Sequence, residues 1–159
     1  MRLFLSMHGV AVYNGTRLKK GADVMKIHEP KVERNTKFFD GNIKKLAKTN
    51  SFFRQVIYTG PYSQLVVMSI PPGEDIGEEV HANTDQILVI VDGDAEAIVD
   101  GRPEPAGEHN VIFVTAGTRH NIRNIGTEEL KLFTVYAPPE HKDGTVHKTR
   151  EEAMQEEAA

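Results

Sequence analysis

Between about Ser63 and Pro138 the chain repeats one pattern: short runs of apolar and β-branched residues, each about strand length, set apart by Gly, Pro, Asp and Asn. The runs cover 64–70, 86–91, 95–99, 111–114, 120–124 and 130–136. Asp92-Gly93-Asp94, Asp100-Gly101-Arg102-Pro103 and Ile125-Gly126-Thr127 separate them, and such residues favour hairpin turns. The pattern predicts an antiparallel all-β domain whose neighbouring strands pair. Pro71-Pro72-Gly73 lacks the donors a ladder needs, so it ends the first of these strands and opens a loop.

The flanks read differently. Over 36–50, Phe38, Phe39, Ile43, Leu46 and Ala47 alternate with Asp40, Lys44, Lys45 and Lys48 in a helix-like spacing, expected to cover one end of the β domain. Thr149 and Glu152 make a T-x-x-E capping box, which fits a short polar helix as well as it fits a frayed tail. The expected layout is an arm over 1–35, a β domain over 36–140 and a tail with a short helix over 141–159. Residues 1–24 read either as an added arm or as the product of a start upstream of Met25.

At 159 residues the chain fits one domain of the usual roughly 100–200 residues, large enough to fold without a disulfide or a structural metal. A bound metal would therefore serve function. There is no cysteine, which removes thiolate ligands and thiol nucleophiles and leaves His, Asp, Glu, Asn and Gln. The N-terminal apolar stretch from Leu3 is broken by Ser6, His8 and Gly9, so neither a signal peptide nor a membrane span is expected, and the expected location is cytoplasmic. Net charge is −4, from 19 Lys and Arg against 23 Asp and Glu. Arg17, Lys19 and Lys20 form the densest basic cluster, too small to grip a phosphate backbone, and nucleic acid is not an expected partner.

Residues 73–93 read GEDIGEEVHANTDQILVIVDG and resemble the first cupin motif, G-x5-H-x-H-x4-E-x6-G. Gly73, His81 and Gly93 match, Glu79 stands at the first histidine and Gln86 at the glutamate. Residues 109–124, HNVIFVTAGTRHNIRN, resemble the second, G-x5-P-x-G-x2-H-x3-N. Gly117, His120 and Asn124 match, while His109 replaces the first glycine and Thr115 the proline. GEEVHANTDQ, AGTRHNIRN and YAPPEHKDGTVHKT further resemble stand-alone cupins of the mannose-6-phosphate isomerase-like group.

The resemblance implies an all-β cupin fold, a double-stranded β-helix or jelly-roll barrel with short flanking helices, and an edge-strand homodimer. It also implies one divalent ion, Mn, Fe, Ni, Co or Zn, on Glu79, His81, Gln86 and His120. Two residues apart on an extended strand, Glu79 and His81 share a face. Gln86 shares its parity with Leu88 and Ile90 and should face the same interior, which His120 closes from another strand. A one-residue slip would put Glu78 or Asp85 inside instead.

Arg54 and Tyr136 are the candidate catalytic residues, as anion holder and proton donor, with Tyr58 as a weaker candidate. His8, His28, His109, His141 and His147 read as surface or satisfied core residues, although the tail could fold over the mouth and bring His141 in. The expected function is metal-dependent, isomerase-like chemistry on a small polar molecule such as a sugar or sugar phosphate. A non-haem iron dioxygenase and a non-catalytic metabolite-binding cupin are the alternatives.

Overall fold

The computed structural model describes residues 37–159, together with the backbone of 12–13 and 16–17. The chain divides into two compact units, Met1–Lys31 and Val32–Ala159. In the first, β1 (Val12–Tyr13) and β2 (Thr16–Arg17) pair antiparallel. The rest of the expected arm, with His8, His28, Lys19, Lys20 and Met25, lies outside the described residues.

The second unit is built from two antiparallel sheets. The larger contains β3 (Arg54–Thr59), β4 (Gln64–Ile70), β5 (Asp85–Asp92), β8 (Val111–Val114), β10 (Leu130–Ala137) and β11 (Val146–His147), in the order β11-β3-β4-β10-β5-β8. The smaller contains β6 (Ala95–Val99), β7 (Arg102–Ala106) and β9 (His120–Asn124), in the order β7-β6-β9. Val66, Met68, Leu88, Ile90 and Leu132 from the larger sheet pack with Ala95, Ala97 and Ile122 from the smaller in one buried core. This is the all-β cupin architecture expected from the sequence. Among the described residues no helix is long and apolar enough to cross a membrane.

Three expectations are corrected. β5 and β6 follow one another but do not pair: β5 lies between β10 and β8, β6 between β7 and β9. Asp92-Gly93-Asp94 is thus a crossing between sheets rather than a hairpin. Gly93 turns that corner at φ +95, where a Cβ would lie 3.2 Å from the Leu130 backbone. Arg102 and Pro103 belong to β7, because Asp100 and Gly101 alone make the turn with φ 47 and 77. A strand with two prolines survives there as a sheet edge, where its missing donors face away from the ladder.

The third correction concerns α1 (Ile43–Thr49), which is capped by Asn42. It lies on the outer face of the larger sheet rather than over an end, with Ile43, Leu46 and Ala47 packed on Leu65, Val67 and Phe133. β4 is consequently buried on both faces. The C-terminal segment forms α2 (Arg150–Glu157), with Thr149 Oγ1 accepting from Glu152 N at 3.3 Å.

The segment between β4 and β5 is sewn along β9 by bridges from Asp75 to Arg123 and from Glu79 to His120. Between the two bridges the register shifts by one residue, at Gly77, whose φ is +94. Inward parity therefore switches from Ile76, which is buried in the core, to Glu79.

His109 occupies the left-handed region at φ 72 with its side chain 78% exposed, so His109→Gly should stabilise the fold by about 0.5–1 kcal/mol. Gly93→Ala should destabilise it by at least about 1 kcal/mol. Urea midpoints of the two variants should move in opposite directions.

Candidate metal centre

Glu79, His81, Gln86 and His120 converge at one end of the core. Glu79 Oε2 lies 3.2 Å from His81 Nε2 and 3.7 Å from His120 Nε2. Gln86 Oε1 lies 2.7 Å from His120 Nε2. Adjacent ligands on an ion with bonds of about 2.1 Å stand roughly 3 Å apart, so the spacing suits a single ion. The ligand atoms of Glu79, His81 and His120 lie within 4.8 Å of one another and can hold a metal ion. The competing residues point elsewhere: Glu78 is 65% exposed, and Asp85 Oδ1 accepts from Ala116 N.

Each converging group is held from behind. The Thr118 carbonyl can only accept, so His120 Nδ1 carries the hydrogen and donates to it at 3.1 Å. His81 Nδ1 donates in the same way to Glu140 Oε1 at 3.1 Å. Both Nε2 lone pairs are thereby turned toward the centre, as metal-ligating imidazoles require. Gln86 Nε2 donates to Tyr136 Oη at 3.0 Å, which aims Oε1 inward. Arg54 Nη2 donates to Glu79 Oε1 at 3.1 Å, leaving Oε2 facing the histidines.

These orientations make a test of fit. With both Nδ1 atoms protonated, the neutral Nε2 of His120 meets the Gln86 oxygen lone pair to lone pair, and that of His81 meets the Glu79 carboxylate. Such contacts repel unless a positive charge, a proton or a cation, lies between them. The donor set of two imidazoles, one carboxylate and one amide oxygen fits a borderline divalent ion.

Without an ion, a proton on His81 fills that place. Burial alone would raise the Glu79 carboxyl, yet its hydrogen bond to His81 and the Arg54 charge hold it below the ordinary carboxylate range. Burial would lower His81, but Glu79 and Glu140 lift it above an ordinary imidazole. Tyr136, fully buried and near Glu79, is pushed far up and stays protonated. His141 is pushed down to about 3 by burial and by Arg54, and stays neutral.

Arg54 and Tyr136 are thus both at the centre. Arg54 has its two terminal nitrogens on Glu79 and on Glu157, the latter at 2.8 Å, so it positions protein carboxylates. Tyr58 stacks on Phe39 at 6.0 Å, in the outer cluster. Sequence reasoning missed Glu140, Glu157 and His147. His147 is not a surface residue: it is buried and pairs with Glu156 at 2.6 Å. The tail does fold over the site, and the His141 ring meets Tyr136 edge-on at 5.0 Å. A cavity of about 420 Å³ opens here, lined by Glu79, His81, Glu140, His141 and His147 among others.

Arg54 is 1% exposed and Glu79 9%, so Arg54→Met should cost about 3 kcal/mol in chelator by stranding the carboxylate. Glu157→Gln, on a half-exposed partner, should cost under about 1 kcal/mol. The pH dependence follows from the two shifts. The lowered Glu79 contributes stability above its usual 4.5 and loses it as pH falls; the raised His81 contributes below 6.5 and loses it as pH rises through its higher folded value. Metal-free protein should therefore melt lower at about pH 8 than at about pH 6, while the increment from added Mn²⁺, which displaces the His81 proton, should grow over the same range.

The cupin domain family matches residues 66–136. The uncharacterised protein YrkC of Bacillus subtilis is 36% identical over 148 residues, covering 87% of this chain and 80% of YrkC. The uncharacterised protein L612 of Acanthamoeba polyphaga mimivirus is 38% identical over 109 residues, covering 66% and 68%. The crystal structure of BH2720 from Bacillus halodurans superposes with a TM-score of 0.73 at 39% identity, over 80% of this chain and 97% of that one. With the fold, both motifs and these relatives in agreement, the chain belongs to the cupin superfamily.

Proposed function

We propose that this cupin is a metal-dependent enzyme that catalyses isomerase-type proton transfer on a small hydroxy-carbonyl compound, a sugar or sugar phosphate in the broadest form. The observation that carries the reading is the set of lone pairs of Glu79, His81, Gln86 and His120 turned toward one point, each fixed by a separate partner. A divalent ion held there would supply Lewis acidity, polarising a carbonyl or hydroxyl oxygen.

The residues around it do the rest. Glu79 is the one carboxylate in the set, and a divalent ion would keep a net positive charge that favours oxygen-rich ligands. Tyr136 accepts from Gln86 and keeps its own O–H, so it donates a hydrogen bond to a substrate oxygen rather than acting as a base. The tail from Glu140 to His147 walls the cavity and limits water around the reacting carbon. Glu79, His81 and His120 also match the two-histidine, one-carboxylate set that activates oxygen on iron, and oxygen uptake by anaerobically iron-loaded protein would favour that reaction instead.

Protein loaded in turn with Mn, Fe, Co, Ni and Zn should interconvert an aldose and a ketose within a panel of sugars and their phosphates. His120→Ala should lose at least about 100-fold in kcat/KM, beyond the usual loss from an outer-shell change, and Tyr136→Phe about 100-fold in kcat. Turnover no greater than that of His120→Ala, with every metal, would sink the proposal, and binding without conversion would leave a metabolite-binding cupin.

A further inference from the structure

The cavity wall carries a charge pattern that holding an ion does not explain. Glu78, Glu79, Glu140, Glu156 and Glu157 line it, against Lys142. Arg54 is buried behind Glu79 with its terminal nitrogens engaged. Among the lining side chains themselves the balance stays negative with a divalent cation on Glu79, although Arg54 behind Glu79 and Arg119 at 3.7 Å from Glu78 offset part of it. A phosphate ester or carboxylate entering it meets like charge and finds no free guanidinium to grip it.

A second observation points to what the wall accepts. His141 Nε2 and His147 Nδ1 are buried without a hydrogen-bond partner, and both residues line the cavity. The His147 side chain is 7% exposed, and its Nε2 is taken by Glu156 at 2.6 Å. In the neutral ring this fixes the hydrogen on Nε2 and leaves Nδ1 a lone pair. In that form the nitrogen accepts from a hydroxyl and carries no hydrogen for a phosphate oxygen. His141, neutral at any working pH, offers a second uncharged ring nitrogen. Buried polar atoms of this kind want partners, and the hydroxyls of a ligand in the cavity can supply them.

Resting on the sugar-directed reading above and narrowing it, we infer that the cavity recognises an uncharged polyhydroxy compound, such as an unphosphorylated sugar, whose hydroxyls are read by His141 and His147. The acidic wall rejects phosphate esters and sugar acids. Specificity is thereby assigned to the C-terminal tail, apart from the residues that face the ion.

Calorimetric titration of the full chain, with and without Mn²⁺, tests this with four probes: D-mannose, D-fructose, mannose 6-phosphate and glucosamine. A neutral sugar should bind at least about tenfold more tightly than the phosphate ester. Glu78→Gln combined with Glu156→Gln should narrow that gap by improving phosphate binding. His141→Phe and His147→Phe should each weaken sugar binding about tenfold. His141→Gln and His147→Asn, which return a polar atom near Nε2 and Nδ1, should restore much of it, and a merely structural role would not give that rescue.

Tighter binding of the phosphate, tighter binding of the ammonium sugar than of both neutral sugars, or no binding of either neutral sugar overturns the inference. Parallel Mn²⁺ titrations separate the two readings. Absence of ion binding strikes the metal centre, while the order of sugar affinities decides this inference in the metal-free protein as well.

Discussion

Glu79 N donates to His120 O at 2.8 Å and His120 N donates to Glu79 O at 3.0 Å, a reciprocal pair that sets the two residues directly opposite each other. On an antiparallel pair, opposite residues share a face with Cβ atoms about 4.5–5.5 Å apart, so the carboxylate meets the imidazole as a consequence of backbone register. Further bonds, from Ile76 N to Ile122 O and from Gly117 N to His81 O, keep this segment in place along β9. A slip of one residue would turn Glu79 into solvent and bring Glu78 in. The other groups of the centre, Gln86 from β5 and Tyr136 from β10, are themselves register partners. A bridge onto the smaller sheet and a ladder within the larger thus aim their side chains at the same point.

Much of this was legible from residue patterns, for a physical reason. The strands 64–70, 95–99, 111–114 and 120–124 stand where the apolar and β-branched runs put them, because the Gly, Pro, Asp and Asn between the runs end strands. Leu88 and Ile90 fall inward with Gln86, each fully buried. What alternation could not decide was the face of Glu79, since Ile76 faces the core and an unbroken count by two leads from it to Glu78. The answer lies in the bulge at Gly77, and a glycine in a loop does not announce a change of parity. Sheet switching at Gly93 was equally hidden, because a turn and a corner use the same residues and only long-range pairing separates them.

The tail was the least legible part. Glu140, His141, His147, Glu156 and Glu157 sit in a polar stretch with no hydrophobic period, the usual mark of a solvated segment. Backbone pairing of β11 with β3 and a few polar contacts fix it instead: Arg150 on Asp75 at 2.7 Å and Glu157 on Arg54. Several are partly exposed and individually weak, but they end on Arg54, which is not exposed, and through it on Glu79. α2 buries Ala153 in the core and sets Met154 against Gly77, so a small apolar contact and the charged pairs together hold it against the β domain.

This division of labour bears on how a fold with one kind of centre serves different ligands. The two motif segments and β10 supply the floor beneath the cavity: inward lone pairs from Glu79, His81, Gln86 and His120, and the protonated phenol of Tyr136. Nothing in that floor selects among oxygen-rich molecules, because a Lewis acid polarises a sugar, a phosphate ester or an acid alike. Selection has to come from the wall, and most of the wall is the tail. There the carboxylates of Glu140, Glu156 and Glu157 surround imidazoles whose buried nitrogens lack partners. A ligand with hydroxyl hydrogens to donate can satisfy such atoms. On this reading discrimination lies in the tail, and substitutions at His141 and His147 should change what is bound while leaving the four ion-facing groups in place.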